Sequence, residues 1–344
     1  MHEAPARHAW IIRNPSARRA LPERRLREAA EPLRRRGWQI ELRSTRGPGE
    51  AQSLARDAAE DGASAVVAAG GDGTIHEVVN GLAGSGAALG VVACGTANVW
   101  AGEAGLPTSP ERALALVASG WRARLDLGEV DGIEDRDGVL CPSRYFLLMC
   151  GMGLDGTVVR TMHGRPAAKR LLGRAAFAPA IARTALGAQS LPVRVTAGRR
   201  ELHRELLQGV AGNTRGYGGL LRLTGDARAD DGMIDLLLLS GAGRRRQAEL
   251  VAWALRGGLH RRRAPGVDYL RESALALTLD AAAHAALEVQ ADGEHLGAVP
   301  PGTELRLRTA PGALIALLPR RPNAFLAASP PSGRGVRSDE RPRS

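Results

Sequence analysis

Ala68-Ala69-Gly70-Gly71-Asp72-Gly73-Thr74-Ile75-His76-Glu77 follows the apolar run Ala65-Val66-Val67 and leads into Val78-Val79-Asn80-Gly81-Leu82. A buried strand therefore runs into a glycine turn and then a helix. The glycines let the backbone approach a bulky anion without interference from a Cβ, and the helix that follows offers unpaired N–H groups and a positive dipole end. The turn is a candidate phosphate site; a plain strand-to-helix turn capped by Thr74 is the alternative. Asp72 sharpens the first reading. An acid among phosphate-binding amides repels the ligand unless it holds a metal, a water or a neighbouring donor.

The chain around this turn has 344 residues and 44% hydrophobic content, enough for a sizeable core and two domains. No apolar run approaches the length of a membrane span, and Met1 to His8 lacks the apolar core of a secretion signal, so a cytoplasmic protein is expected. Cys94, Cys141 and Cys150 have neither an even count nor Cys-x-x-Cys spacing, which argues against a disulfide framework and a structural zinc. The net charge of +11 calls for an acidic partner. Nucleic acid is disfavoured, because aromatic content is 3% and no basic stripe is interleaved with aromatics. Lys169 is the only lysine and has no glycine loop before it, which excludes a Walker-type P-loop.

Strands alternate with helices through the first third. His8 to Arg13 is a strand ending at Asn14-Pro15-Ser16, Leu21 to Arg36 an arginine-rich surface helix, and Trp38 to Leu42 a second strand. Ser44-Thr45-Arg46-Gly47-Pro48-Gly49-Glu50 then opens a helix. Leu89 to Cys94 is a fourth strand, ending in a second glycine turn, Gly95-Thr96-Ala97-Asn98. This spacing gives a parallel sheet with crossover helices, whose ligands gather at the C-terminal strand ends. From about residue 121 the period changes to short β-like runs, interrupted by a helix over Ala167 to Leu186 and another over Arg246 to Arg256. The expected architecture is α/β plus all-β: a parallel α/β domain over 1–120, an antiparallel β-sandwich over 121–319, and a disordered basic tail over 320–344.

Gly70-Gly71-Asp72-Gly73-Thr74 resembles the signature shared by diacylglycerol kinases, sphingosine and ceramide kinases, NAD kinases and phosphofructokinases. Gly95-Thr96-Ala97-Asn98-Val99-Trp100-Ala101 resembles the lipid-kinase pattern Gly-Thr-Ala-Asn-x-x-Ala, with Val99 where many members have Asp. Asn14-Pro15, Thr45-Arg46-Gly47-Pro48-Gly49-Glu50-Ala51 and Gly151-Met152-Gly153-Leu154-Asp155-Gly156 resemble further lipid-kinase elements, as do Asn213 to Gly219 and Asp292-Gly293-Glu294.

The resemblance implies an ATP- and Mg2+-dependent lipid kinase with its site between two domains, most simply one that converts diacylglycerol to phosphatidate. A long-chain-base or other lipid-alcohol kinase, and a catalytically silent nucleotide-binding protein, are the alternatives. The implied nucleotide residues are Asn14, Pro15, Arg18, Thr45, Gly70, Gly71, Asp72, Gly73, Thr74, Glu77, Gly95, Thr96 and Asn98. Asp292 or Glu294 is the implied base; a primary alcohol needs such a carboxylate to lose its proton. Asp231, with the carbonyls of Arg228 and Met233, is the implied structural magnesium site, whereas the residues alone read Asp-Asp-Gly and Asp-Gly as hairpin turns. A soluble enzyme of this kind would meet its lipid at the inner face of an anionic membrane. A homodimer is left open.

Overall fold

A computed structural model describes residues 7–154, 156–157, 189–216, 221–241, 243–256, 261, 264–321 and 323–327. The helix expected over Ala167 to Leu186, the acid Asp155 and Lys169 lie outside the described residues. Strands β1 (His8–Arg13), β2 (Gln39–Ser44), β3 (Ala65–Gly70) and β4 (Ala88–Ala93) pair in parallel in the order β2-β1-β3-β4. The helices between them are α1 (Glu23–Arg34), α2 (Glu50–Glu60) and α3 (Asp72–Leu82), followed by α4 (Val99–Glu103) and α5 (Pro110–Ser119).

Every residue of β3 is buried, as a strand covered on both faces requires. Ile12 and Val66 pack toward Ala51, Ala55, Val78 and Val79 of α2 and α3, while Ile11 and Val67 pack toward Leu26, Leu33 and Leu114 of α1 and α5. The cap expected from Ser109-Pro110 forms: Ser109 Oγ accepts from the Arg112 amide at 3.3 Å. α1 carries Pro32 inside it and still buries Leu26, Ala29, Ala30 and Leu33. The tertiary stripe outweighs the local cost of the proline.

The second half is antiparallel. It comprises β5 (Trp121–Asp131), β6 (Arg144–Phe146), β7 (Met149–Gly153), β8 (Leu191–Ala197), β9 (Arg200–Gly212) and β10 (Ile234–Ser240), then α6 (Arg244–Arg256). β11 (Val267–Glu272), β12 (Ala274–Leu279), β13 (Leu287–Ala291), β14 (Glu294–Val299) and β15 (Glu304–Leu318) complete it. Its main path runs β14-β13-β7-β9-β8-β12-β15 and continues into β4 of the parallel sheet.

β15 makes that join. It pairs with β12 near its start, runs antiparallel to β5 along its length, and sets Ile315 and Ala316 parallel to Ala88 and Leu89 of β4. Where its register with β5 shifts between Ala310 and Leu314, Asp126 Oδ1 accepts the Gly312 amide at 2.7 Å. The carboxylate thus satisfies a donor that the ladder leaves over.

Part of the segment expected as a disordered tail, residues 320, 321 and 323–327, is described and packs on the fold. Phe325 and Leu326 are buried, Phe325 meets the Trp100 ring edge-on at 5.4 Å between centroids, and the Phe325 carbonyl accepts the Ala229 amide at 2.9 Å. Two apolar residues among prolines and arginines are enough to anchor the segment through Ala327.

A second tie joins the halves at α3. Asn80 donates to the Tyr145 carbonyl at 2.9 Å and accepts the Tyr145 amide at 2.9 Å, clipping the helix to β6. Asn80→Ala leaves both of those backbone groups unpaired at a part-buried seam. It is expected to lower unfolding free energy by about 1–3 kcal/mol in urea titration, with little change in the slope.

Candidate active site

β3 delivers Gly70 and Gly71 to the C-terminal edge of the parallel sheet, and α3 begins at Asp72 with no side chain capping its first turn. The glycines are required by the protein's own packing as well as by any ligand. A Cβ at Gly70 would fall 2.4 Å from Thr74 Oγ1, and one at Gly95 would fall 2.6 Å from Gly71 Cα. The two glycine turns therefore touch backbone to backbone. Thr74 is buried, and its hydroxyl accepts from Asn14 Nδ2 at 2.9 Å, which joins the end of β1 to the turn. Asn14 Oδ1 in turn accepts the Ser16 amide at 2.8 Å, shaping the exposed loop that carries Pro15 and Arg18.

Asp72 resolves its charge with a neighbouring donor set. The amides of Asn98, Val99 and Trp100 at the start of α4 face its carboxylate; burial pushes the acid above the usual carboxylate range, and these amides partly restore it. Its Oδ1 is buried without a partner. Asn98, at φ 49°, accepts the Gly95 amide at 2.8 Å and donates to the Gly95 carbonyl at 3.1 Å. Its side chain is thereby spent on holding the second turn, and Thr96 is left exposed at the tip. Thr45 is buried beside Arg13, whose carbonyl accepts its amide at 2.8 Å. Glu77 accepts the Ala51 amide at 3.0 Å and so serves the N-terminus of α2.

The hairpin β13–β14 brings the second group of residues to this turn. Asp292 and Gly293 take φ values of 51° and 91°, the left-handed pair a two-residue hairpin favours. Asp292 is nevertheless more than a turn residue. Its Oδ1 accepts the amides of Leu148 and Met149 at 2.8 and 3.0 Å, and its Oδ2 accepts the Leu147 amide at 2.8 Å and lies 3.3 Å from His76 Nδ1 on α3. A carboxylate with four partners has no lone pair left for a substrate proton. Glu294, two residues on, is half-buried and lies against the glycine turn: a Cβ at Gly73 would sit 2.7 Å from its Oε1.

Three groups that the sequence reading did not single out join the two halves near this turn. His76 and Asn80 lie one and two turns into α3, inside and just beyond the opening stretch, where the helical spacing from Asp72 was the available signal. Glu103 ends α4 and accepts the Thr214 hydroxyl at 3.0 Å and the Arg215 amide at 2.8 Å. Burial pushes its carboxyl up, against those hydrogen bonds. No local pattern marks it.

At the expected magnesium site the Asp231 carboxylate meets protein groups. Asp231 Oδ1 accepts the Met233 amide at 3.1 Å and Oδ2 is paired with the guanidinium of Arg271, so each oxygen has a protein partner. Arg228 reaches the Leu326 carbonyl at 3.3 Å. Among the described residues, the ligand atoms of His8, Glu41 and Asp61 are the one such trio close enough to hold an ion, and they lie elsewhere.

Residues 8–130 match the diacylglycerol kinase catalytic domain, and residues 149–318 match the YegS C-terminal NAD kinase beta sandwich-like domain. A YegS-like lipid kinase of Pseudomonas fluorescens is 34% identical over 306 residues, covering 86% of this chain and 90% of that one. The diacylglycerol kinase of Bacillus subtilis is 30% identical over 261 residues, covering 73% and 80%. Among solved structures, a diacylglycerol kinase of Bacillus anthracis superposes with a TM-score of 0.65 at 18% identity over 92% of this chain and 98% of that one. Yeast NADH kinase does so with 0.54 at 10% identity over 94% and 86%. These two likenesses carry the fold.

The glycine contacts separate two substitutions. Gly95→Ala drives a Cβ into the Gly71 backbone and is expected to cost about 2–3 kcal/mol of stability. Gly73→Ala meets only the end of a flexible side chain, so its thermal melt should stay within a few degrees of wild type while Glu294 is displaced.

Proposed function

We propose that this chain, which belongs to the family of the diacylglycerol kinases and YegS-like lipid kinases, transfers the γ-phosphoryl group of MgATP to the hydroxyl of a membrane lipid, with diacylglycerol as acceptor and phosphatidate as product. The observation that carries the reading is the contact between Glu294 and Gly73, a carboxylate against the glycine turn that we read as the phosphate site. Phosphoryl transfer to an alcohol asks for those two things together: positioned donors for the phosphates and a proton acceptor at the nucleophile.

In this reading the first-turn amides of α3 bind phosphate oxygens, and the Asn14–Thr74 hydrogen bond sets the Thr74 hydroxyl. The lipid oxygen attacks the γ-phosphorus, the bond to the β–γ bridging oxygen breaks, ADP leaves, and the hydroxyl proton passes to Glu294. Asp292 acts through position. Its four contacts hold the hairpin that presents Glu294 and the backbone of 147–149 beneath it. The magnesium of this reaction arrives with the nucleotide and is part of the substrate.

The valine at position 99 bears on whether the site is competent. What reaches Asp72 there is the amide of residue 99, which a valine supplies as well as an aspartate does. That favours a working enzyme over a silent nucleotide-binding protein. Delivery of a lipid acceptor requires contact with a membrane face, for which the arginine excess supplies attraction to anionic headgroups.

Transfer of label from γ-labelled ATP to lipids in mixed micelles tests the reading. Wild type should label diacylglycerol in preference to sphingoid bases. Glu294→Gln should lower kcat about 10²–10⁴-fold with an unchanged melting temperature. Asp292→Asn should also lose turnover, but together with about 2–4 kcal/mol of stability, because an amide nitrogen then faces backbone donors. Absence of any labelled lipid, with ATP binding intact, would turn the reading to a regulatory nucleotide-binding protein.

A further inference from the structure

We propose that Arg271 performs in this chain the task of a structural divalent cation, neutralising and fixing Asp231, so that the segment from Asp226 to Asp235 is held without metal. The resemblance places a magnesium here; the residues present an internal cation instead. Arg271 lies directly opposite Asp235 in the antiparallel pair β10–β11, so the sheet register, and not only a rotamer, brings its guanidinium to the acidic turn. From there it pairs with Asp231 Oδ2 and lies 3.8 Å from Asp235 Oδ2 through Nε.

The other acids of the segment also meet protein donors, although Asp235 Oδ2 is buried with no hydrogen-bond partner among the described residues and has only the Arg271 guanidinium near it. Asp226 Oδ1 accepts from Arg261 at 3.1 Å, Asp230 Oδ1 accepts the Ala327 amide at 2.6 Å, and Asp235 Oδ1 accepts the Tyr269 hydroxyl at 2.7 Å. Two backbone amides of the segment are also held by protein acceptors. Asp126 Oδ2 accepts the Gly232 amide at 2.6 Å, and the Phe325 carbonyl accepts that of Ala229 at 2.9 Å. A hard dication needs several oxygens with little positive charge beside them. At this turn it would find both Asp231 oxygens engaged and a guanidinium already in place. Replacing one charge partner by another leaves the acid compensated, whereas removing the partner leaves a part-buried carboxylate alone.

Thermal melts and elemental analysis of the full chain, without nucleotide, test this independently of any kinase activity. Wild type equilibrated with millimolar Mg2+ and then desalted without chelator should carry well under one equivalent of Mg2+ or Ca2+, and it should melt at the same temperature in EDTA and in millimolar Mg2+. Arg271→Gln should melt about 3–6 °C lower in EDTA and regain part of that loss in Mg2+, because Asp231 is then free to bind it. A wild type that holds a stoichiometric divalent ion, or melts higher in Mg2+ while Arg271→Gln changes nothing, overturns the proposal. Should Arg271→Gln fail to fold, Asp231→Asn decides. Equal melts in EDTA and Mg2+ for both it and wild type support the internal cation; loss in the variant of a metal-dependent rise seen in wild type overturns it.

Discussion

Three backbone amides and an imidazole converge on the Asp292 carboxylate, and the cleft depends on that convergence. The amides belong to the Leu147–Met149 segment that leads into β7, the imidazole to α3, and the acid itself to the β13–β14 turn. One buried anion therefore fixes three pieces of chain from both halves of the molecule. Hydrogen bonds to an ionised acceptor are roughly twice as strong as neutral ones, and burial removes water as a competitor. Moving any partner would leave either a charge or a donor unsatisfied, so the arrangement has little freedom to drift. The placement of Glu294 follows, since it starts the strand two residues beyond.

A single backbone economy serves both packing and chemistry around the glycine turn. Gly70 lacks a Cβ so that Thr74 can fold under the strand, Gly71 and Gly95 so that two loops can touch, and Gly73 so that Glu294 can approach. A glycine-rich phosphate loop is usually explained by its ligand. Here most of its glycines are already demanded by the neighbours, so the turn's backbone shape is fixed by packing before any ligand arrives.

What the sequence made legible was local and strongly patterned. The β3 run, the two glycine turns, the Ser109-Pro110 cap and the Asp292-Gly293 hairpin each carry their signal within a few residues, and the alternation of strands and helices ordered the parallel sheet. The rest depended on contacts distant in sequence. Nothing near Ile315 announces that β15 will cross to β4, nothing near Glu103 announces Thr214, and Phe325 gives no sign that Trp100 awaits it 225 positions earlier. Side-chain partners were the least legible layer. Glu77, named with the nucleotide residues, reaches the start of α2, and Asn98 holds its own turn, because a polar residue near a ligand edge satisfies whichever donor the fold brings closest.

Asp72 and Asp231 show why an acid beside a glycine does not by itself specify a metal. Both belong to short Asp-Gly motifs, and both have found protein donors: the start of α4 for Asp72, the guanidinium of Arg271 for Asp231. The difference lies in what remains. Asp72 keeps one buried oxygen without a partner, at the mouth of the glycine turn, and burial holds its carboxyl above the usual range. An unpaired buried acceptor is costly unless something completes it. At Asp231 both oxygens are matched. An acid next to a glycine is thus first a problem of donor supply, which the fold solves for both oxygens of Asp231 and for only one of Asp72.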